Sequence, residues 1–254
     1  MVYVATVSLH DEHGEVLATK GFAATPGDGP AELLERIAAE LTHQHARYNA
    51  PISVIQDGAP ELWNLIAGLR TRHGLEIEAV LDRYHVDERL AQICEHIFGP
   101  YAPAHELFAL WRHQLDHSDT AIDRIIRHLD ALVWHSTFGS VEGEPPPSFW
   151  SEREVIDLRG EALSAVEGHV EYFRRNRARM RYARRKRNGL PIGSGATEGA
   201  CKSLVAMRCK RGGQRWFESG LAPCLSLRAL HLSDRLRPAF DRIGVARTAS
   251  LAAA

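Results

Sequence analysis

The first 85 residues alternate between strand-like and helix-like patterns, and this order constrains the fold more than any other feature of the sequence. Residues 2–9 and 15–22 are rich in β-branched residues and alternate apolar with polar side chains, with the turn-forming run "HDEHGE" between them. Such a pattern predicts an antiparallel hairpin. The hairpin gives the fold two neighbouring strands on which helices can pack.

A helix, a strand, a helix and a further strand are predicted after the hairpin. The run "GDGPAELLERIAAELTHQH" predicts an amphipathic helix, with a proline near its first turn. The run "PISVIQDG" predicts a short strand ending at Asp57, "APELWNLIAGLR" a helix, and "LEIEAVLDRYH" a strand ending at Asp82. We therefore predict an α/β fold with a mixed sheet covered by helices. Chemistry in such sheets gathers at the carboxyl ends of strands, where Asp57 and Asp82 both fall.

Residues 86–187 follow a helical pattern, apart from the Pro/Gly-rich loop "FGSVEGEPPPSF" at 138–149. The apolar spacing in "HELFALWRHQL" and "TAIDRIIRHLDALVWH" predicts a helical insertion with Trp111 and Trp134 in its core. Several histidines of this stretch are interpreted as ordinary surface or edge residues, because no strand-end carboxylates accompany them to form a metal site. These histidines are His105, His113, His117 and His128.

The composition of this 254-residue chain, 44% hydrophobic and 25% charged, is typical of one globular domain or of one domain carrying an insertion. No apolar run approaches the roughly 18 residues that cross a bilayer, and the first residues lack a basic-then-apolar signal, so we expect a cytoplasmic location. The four cysteines lie neither in C-x-x-C pairs nor at zinc-like spacing with histidines, and we expect them to be small buried residues. They are Cys94, Cys201, Cys209 and Cys224.

Charge is distributed unevenly along the chain, although the net charge is only −1. Residues 174–215 contain fourteen lysines and arginines and one acid, Glu198, which leaves 17 of the 31 basic and 31 of the 32 acidic residues elsewhere. Nine of the fourteen residues in "RRNRARMRYARRKR" are basic, and none is acidic. This run is either the solvated end of a long helix that begins near Ser151 or a surface for a polyanion, and its self-repulsion favours contact with nucleic acid.

Three acids are candidates for catalysis, and each also has a simpler interpretation. Two divalent cations about 3.5–4 Å apart can activate a water and stabilise a leaving oxygen in phosphodiester cleavage, and Mg²⁺ prefers carboxylate oxygens. Asp57, Asp82 and Glu198 are suitable ligands by type. Asp57 and Asp82 are also good caps for the helices that follow them, and Glu198 suits the first turn of a helix. Spacing alone favours these structural interpretations.

Three blocks of sequence resemble a known family: "VIQDGAPELWNL", "VLDRYHVDERL" and "GLPIGSGATEGACKSLVAMRCKRGGQRW", in this order and with a helical stretch before the last. They are similar to the C-terminal core of DDE transposases of bacterial insertion sequences of the ISKra type, which are related more distantly to the Mutator-like and hAT groups. The resemblance extends from the opening hairpin to about Leu236. It implies a ribonuclease-H-like catalytic domain, interrupted by a helical insertion, that cuts and joins DNA strands at transposon ends with Mg²⁺ or Mn²⁺.

The resemblance also implies roles for individual residues. Asp57 resembles the second catalytic aspartate, at the end of the fourth strand of that fold, and Glu198 resembles the closing glutamate, so both are expected to bind the metal. Asp82 and His85 match the D-x-x-H that follows, and we assign them to the neighbourhood of the active site. The expected partners are DNA, at the transposon ends and the target, and a second copy of the chain in a homo-oligomer, but no membrane. The residues expected to contact DNA are Arg174, Arg175, Arg177, Arg179, Arg181, Arg184, Arg185, Lys186, Arg187, Lys202, Arg208, Lys210, Arg211 and Arg215.

The chain departs from the family pattern at its start. The family's first catalytic aspartate lies on a strand upstream of the hairpin, and Asp11 lies at the wrong end of its strand to replace it. We therefore expect a truncated transposase core that is inactive or incomplete alone, and the alternative is a non-catalytic DNA-binding remnant. A nucleoid-associated location in a bacterium follows from either interpretation. The expected divisions are 1–90 for the N-terminal part of the core, 91–187 for the helical insertion and basic helix, 188–237 for the C-terminal part of the core with the glutamate helix, and 238–254 for a tail. The end of this tail, "ARTASLAAA", is expected to be frayed.

Overall fold

The computed structural model describes residues 2–138, 149–150, 158–210 and 212–252, without the side chains of residues 249–252. Most of the predicted loop at 138–149, the predicted helix start at Ser151, and Arg211 therefore lie outside the described residues. The elements, in chain order, are β1 Tyr3–His10, β2 Val16–Ala24, α1 Gly29–Tyr48, β3 Ile52–Gln56, α2 Pro60–His73, β4 Ile77–Leu81, α3 Arg83–Phe98, α4 Ala102–His117, α5 Ala121–Phe138, α6 Gly160–Asn176, a 3₁₀ turn Arg177–Arg179, α7 Tyr182–Arg187, α8 Gly195–Ala200, a π turn Cys201–Ala206, α9 Met207–Cys209, α10 Glu218–Leu232 and α11 Leu236–Ala252.

The chain divides into two compact units. The first, which we call the hairpin unit, comprises Met1–Ile52, Pro60–Glu78 and Ser194–Ala254. The second, which we call the helical unit, comprises Ser53–Ala59 and Ala79–Gly193. The described strands form two hydrogen-bonded pairs, β1 with β2 and β3 with β4. The predicted mixed α/β class is therefore confirmed, while the ribonuclease-H-like arrangement stays a prediction.

The hairpin unit carries helices on both faces of an antiparallel strand pair. Tyr3 lies opposite Ala24, and the register shifts by one residue between Leu9 and His10. Successive residues of a strand point to opposite faces, so Phe22 and Ala24 pack against α1 while Ala23 packs against the π turn and α10. The end of β2, where three successive residues are buried, is therefore covered on both faces.

The helical unit has its own core, formed largely by α3 to α6. One buried residue from each of these four helices illustrates this core: Leu90, Trp111, Leu129 and Phe173. The predicted burial of Trp111 is confirmed, since this side chain is fully buried with the Phe149 ring stacked 6.5 Å away. Four helices thus supply much of the buried hydrophobic surface of this unit.

The predicted burial of Trp134 is wrong, because this side chain is 48% exposed. The buried stripe of α5 runs through Ile122, Ile125, Leu129 and Leu132. Trp134 lies two residues after Leu132, and two residues turn a helix by about 200°, which places it on the opposite face. Apolar character alone was not enough to assign the residue to the core.

The cysteines and the C-terminal segment also differ in part from expectation. Cys94 is buried, and burial raises the pKa of its thiol to about 12, whereas Cys201 is exposed. The segment predicted to be a frayed tail is helical, because α11 continues to Ala252. Among the described residues, every helix is too short or too polar to cross a membrane.

Candidate functional site

Asp57 directly follows β3 and is held by its own turn and by α6. Its Oδ1 accepts a hydrogen bond from the Ala59 backbone N–H at 3.0 Å, and its carbonyl oxygen accepts one from the Tyr172 hydroxyl at 2.6 Å. The next residue, Gly58, has φ +91°, and a Cβ there would lie 2.7 Å from the Tyr172 hydroxyl. Only glycine therefore fits the turn. The Asp57 side chain remains exposed, with its backbone fixed beneath it.

Asp82 follows β4 and is completely buried. Its Oδ1 accepts a hydrogen bond from the Tyr84 backbone N–H at 2.9 Å, so Asp82 is the N-cap of α3 and this interpretation is confirmed. Its own N–H donates to the carbonyl oxygen of Gln56 at 2.8 Å. Since Gln56 immediately precedes Asp57, the two strands end side by side and bring Asp57 and Asp82 to the same edge.

Tyr172 of α6 lies within the electrostatic reach of both acids. Burial raises the pKa of the Tyr172 hydroxyl, Arg89 opposes this increase, and the negative charges of Asp57 and Asp82 add to it. A second tyrosine, Tyr182 of α7, donates its hydroxyl to the carbonyl oxygen of Leu81 at 2.9 Å. Leu81, which precedes Asp82, is therefore held by the buried Tyr182. Asp57, which follows β3, is held by the half-buried Tyr172.

His85 lies on α3 three residues after Asp82. Its Nδ1 lies 3.5 Å from a carboxylate oxygen of Glu88, and its ring meets the edge of Tyr84. These contacts are with its own helix. The role of His85 in the neighbourhood of the active site therefore stays a prediction.

Glu198 belongs to the hairpin unit and lies in the first turn of α8, as its structural interpretation predicts. Its side chain is exposed, and its N–H donates to the carbonyl oxygen of Ser194 at 3.1 Å. The preceding residue, Thr197, shares a 2.8 Å hydrogen bond with Thr6 of β1, which ties α8 to the hairpin. That Glu198 and Asp57 share a metal stays a prediction.

The donor chemistry at the strand ends suits a hard cation. Asp57 is exposed, and its Oδ2 makes no hydrogen bond or ion pair to another described residue. Carboxylate oxygens are the ligands that Mg²⁺ prefers. Groups of three or more His, Cys, Asp or Glu side chains placed to hold a metal do not occur among the described residues. Asp57 therefore fits one ligand position, and the complete ligand set stays a prediction.

The basic run at 174–187 is not the end of one long helix. It includes the last residues of α6, a 3₁₀ turn and α7, and much of its charge is paired within the helical unit. Acids of α4, α5, α6 and the α4–α5 connection face these cations. The ion pairs are Arg174 with Asp130 and Glu171, Arg175 with Glu171, Arg181 with Asp123, Lys186 with Asp116, and Arg187 with Asp119.

Arg185 differs from the other predicted DNA contacts because it is only 1% exposed. Its Nε donates to the carbonyl oxygen of Pro191 at 3.1 Å, and its Nη1 donates to the Ser53 hydroxyl at 3.1 Å. A buried guanidinium cannot reach a phosphate. We therefore correct its assignment: Arg185 joins β3 to the segment after α7 as a core residue.

A second group of basic residues, in the hairpin unit, is exposed. Its described members make no ion pair with an acid of the described chain, and they are Lys202, Arg208, Lys210 and Arg215. The Arg208 guanidinium lies 5.8 Å from the centre of the Trp216 ring. In the helical unit, Arg177 is likewise exposed and unpaired among the described residues, while Arg179 donates to Asn176 and the Arg184 backbone to Asp119.

Sequence reasoning missed the residues that support the strand ends. Tyr172 lies on a helix without a motif that would single it out, and Arg89 lies inside the quoted block "VLDRYHVDERL" but received no role there. The available signal was Gly58 beside Asp57, since a glycine after a strand-end acid indicates a close approach by another residue. The acids that neutralise the basic run were also missed, because they are distant in the sequence. Asp130 lies 44 residues before Arg174, and Asp116 lies 70 residues before Lys186.

Comparisons of this chain with protein-family models, with curated proteins and with solved structures find no match. The likeness to transposases therefore rests on the three sequence blocks quoted above. The structure adds the adjacent placement of Asp57 and Asp82, which come from two of those blocks.

Proposed function

We propose that this chain belongs to the ribonuclease-H-like core of a DNA transposase, a class of protein whose chemistry is the cleavage and joining of DNA strands at transposon ends with Mg²⁺ or Mn²⁺. The observation that carries this proposal is the meeting of the ends of β3 and β4, where Asp57 and Asp82 follow neighbouring strands. These acids belong to the blocks "QDGAPELWN" and "DRYH", the first of which is specific to the family resemblance. A strand-end acid with an uncommitted oxygen is the expected form of a metal ligand in such a fold.

The residues of the proposed site have different tasks. Asp57 and Glu198 would hold the metal, which when bound supplies an activated water and stabilises the leaving oxygen. Tyr172 fixes the backbone of Asp57, so the carboxylate starts from a defined position. Asp82 caps α3 and thereby positions the helix that carries His85 and Arg89. Asp82 therefore orients α3 and is not itself a proposed metal ligand, whereas Asp57 and Glu198 are.

Contact with DNA in this proposal depends mainly on the exposed basic residues of the hairpin unit. Lysines and arginines that release counterions from phosphates supply most of the sequence-independent affinity for DNA. The paired cations of the helical unit would have to leave their acids first. Arg177 remains a candidate there because it has no acidic partner among the described residues.

A second candidate function is DNA binding without catalysis. The observation that favours it is the commitment of Asp82 to capping, together with the exposed basic residues at 202–215, which need no metal. In that case Asp57 and Glu198 would have no measurable affinity for a divalent ion, while DNA affinity would persist. Metal binding therefore separates the two candidates.

Metal binding can be measured directly by the loss of the electron paramagnetic resonance signal of free Mn²⁺ as protein is added. We expect the wild-type chain to bind Mn²⁺, and Asp57→Asn and Glu198→Gln each to weaken binding about tenfold or more, because each removes a ligand. Glu61→Gln, an exposed acid in the first turn of α2, is the matched control and should bind as wild type does. Equal Mn²⁺ affinity in the wild type and Asp57→Asn would rule out the catalytic proposal.

A further inference from the structure

Arg89 of α3 is held by contacts that leave its charge uncompensated. Its guanidinium lies 3.8 Å from the centre of the Tyr172 ring, and its Nη1 donates a hydrogen bond to Nδ1 of His169 at 3.2 Å. Burial, together with the positive charges of Arg89 and His96, lowers the pKa of His169 to about 4. The imidazole is therefore neutral at physiological pH, and it accepts a hydrogen bond without supplying negative charge.

Three other arginines of the helical unit, on α3, α4 and α6, have carboxylate partners. Among the described residues, Arg83 pairs with Asp87 and Asp116, Arg112 pairs with Asp87, and Arg174 pairs with Asp130, while no carboxylate pairs with Arg89. A half-buried cation without a counter-ion is costly unless something negative approaches it. Arg89 thus lacks the partner that its neighbours have.

The stacked position of Arg89 also suits the binding of an oxyanion. A guanidinium can make planar, two-pronged hydrogen bonds to phosphate, and the bond from Nη1 to His169 leaves other N–H groups of Arg89 for such a contact. Tyr172, which carries the stack, donates its hydroxyl to the backbone of Asp57 at 2.6 Å. The unpaired cation and the strand-end acid are therefore joined through one side chain.

We propose that Arg89 is an oxyanion-binding residue that contacts a phosphate oxygen of a DNA strand beside Asp57. This inference rests on the proposed function, and it assigns the recognition of the phosphate group to α3. An anion that approaches Asp57 and Asp82 is repelled by both carboxylates. The positive charge of the Arg89 guanidinium offsets part of that repulsion. The simpler interpretation is that Arg89 only packs on Tyr172.

The first arm of the test uses inorganic phosphate, followed by the ¹⁵Nε signal of Arg89 in nuclear magnetic resonance spectra. We expect this signal to shift as phosphate is added, and the shift to remain in Tyr172→Phe, which keeps the aromatic ring and loses only the hydroxyl. An Arg89 signal that does not respond to phosphate would overturn the inference.

The second arm measures fluorescence anisotropy of a labelled fifteen-nucleotide thymidine strand at low salt. We expect Arg89→Gln and Arg89→Lys to lower the affinity about tenfold, because lysine keeps the charge but loses the two-pronged geometry. Arg112→Gln, which removes an exposed arginine paired with Asp87, is the matched control and should change the affinity less than twofold. Circular dichroism melting curves identify any variant that fails to fold, and Arg89→Lys is the variant most able to keep the stack.

The two proposals fail in different ways. Equal strand affinity in Arg89→Gln and wild type, with Mn²⁺ binding intact, would overturn the role of Arg89 and leave the proposed function standing. A wild-type chain that binds phosphate at Arg89 but neither Mn²⁺ nor DNA would overturn the proposed function, and the anion site would remain as a site for free phosphate.

Discussion

The two basic segments of this chain, 174–187 in the helical unit and 202–215 in the hairpin unit, differ in what surrounds their cations. The first has more basic residues, and most of their charges meet acids of α4 to α6 or lie buried, as Arg185 does. The second has fewer basic residues, and its described cations face no acidic partner within the described chain. A high density of charge along the sequence therefore does not make the more positive surface.

The difference follows from how helices place distant residues. The run at 174–187 folds against helices whose acids neutralise it, whereas the segment after Glu198 has Cys201, Lys202 and Arg208 among its exposed positions. Long-range potential depends on unpaired charge in space. We therefore expect the second segment to dominate DNA affinity, and the variants described next test this expectation.

The largest effect is expected from replacing the exposed cations of the hairpin unit. The variant Lys202→Ala, Arg208→Ala, Lys210→Ala, Arg215→Ala should flatten the slope of log K against log salt for duplex DNA by about three to four, at roughly 0.9 per lost contact. Anisotropy titrations at several salt concentrations measure this slope.

The matched variant in the helical unit also removes four cations, Arg174, Arg175, Lys186 and Arg187, each changed to Ala. Its slope should change by less than about one, because these charges are already paired with acids. Equal flattening in the two variants would remove the distinction between the segments.

An effect of intermediate size is expected at Arg185, which is buried, in comparison with Arg187, which is exposed. Arg185→Met should lower the free energy of unfolding by about 3 kcal/mol, since it leaves the Pro191 carbonyl and the Ser53 hydroxyl without their buried donor. Urea denaturation followed by circular dichroism measures the loss. Arg187→Met, at a site 63% exposed, should stay within about 0.5 kcal/mol of wild type. A small effect at Arg185 would mean that its hydrogen bonds to Pro191 and Ser53 contribute little to stability.

The smallest effect is expected when an acidic partner is removed. Asp130→Asn removes one of the exposed ion pairs of Arg174, so the free energy of unfolding should change by less than about 0.5 kcal/mol. The salt slope for DNA should steepen by less than about one unit, because Arg174 then keeps only its pair with Glu171. An unchanged slope would show that removing Asp130 does not make Arg174 available to DNA.

The sequence predicted most of the local structure. The hairpin, the strands before Asp57 and Asp82, and the cap at Asp82 all follow from short-range rules, because turn residues, alternation and N-caps act within a few positions. Trp111 was correctly assigned to a core, while Trp134 was not, since its place on α5 depends on the phase of the buried stripe.

What could not be predicted depends on residues far apart in the chain. The bond from Tyr172 to Asp57 spans 115 residues, and the pair of Lys186 with Asp116 spans 70. Propensity and periodicity contain no information about such contacts. The charge argument was affected most, because counting arginines along a segment ignores acids that the fold brings to them.

The π turn at Cys201–Ala206 holds one residue more than an α-helical turn would hold. A wide turn rotates the chain less per residue than the roughly 100° of an α-helix, so it absorbs the extra residue and leaves the residues on either side close to their regular helical directions. Thr197 before the turn can therefore bond to Thr6 while Leu204 within the turn is buried. We expect the loss of a single codon from this turn to restore a regular helix and to leave the direction of Glu198 nearly unchanged, so the length of this segment can vary without redirecting the acid.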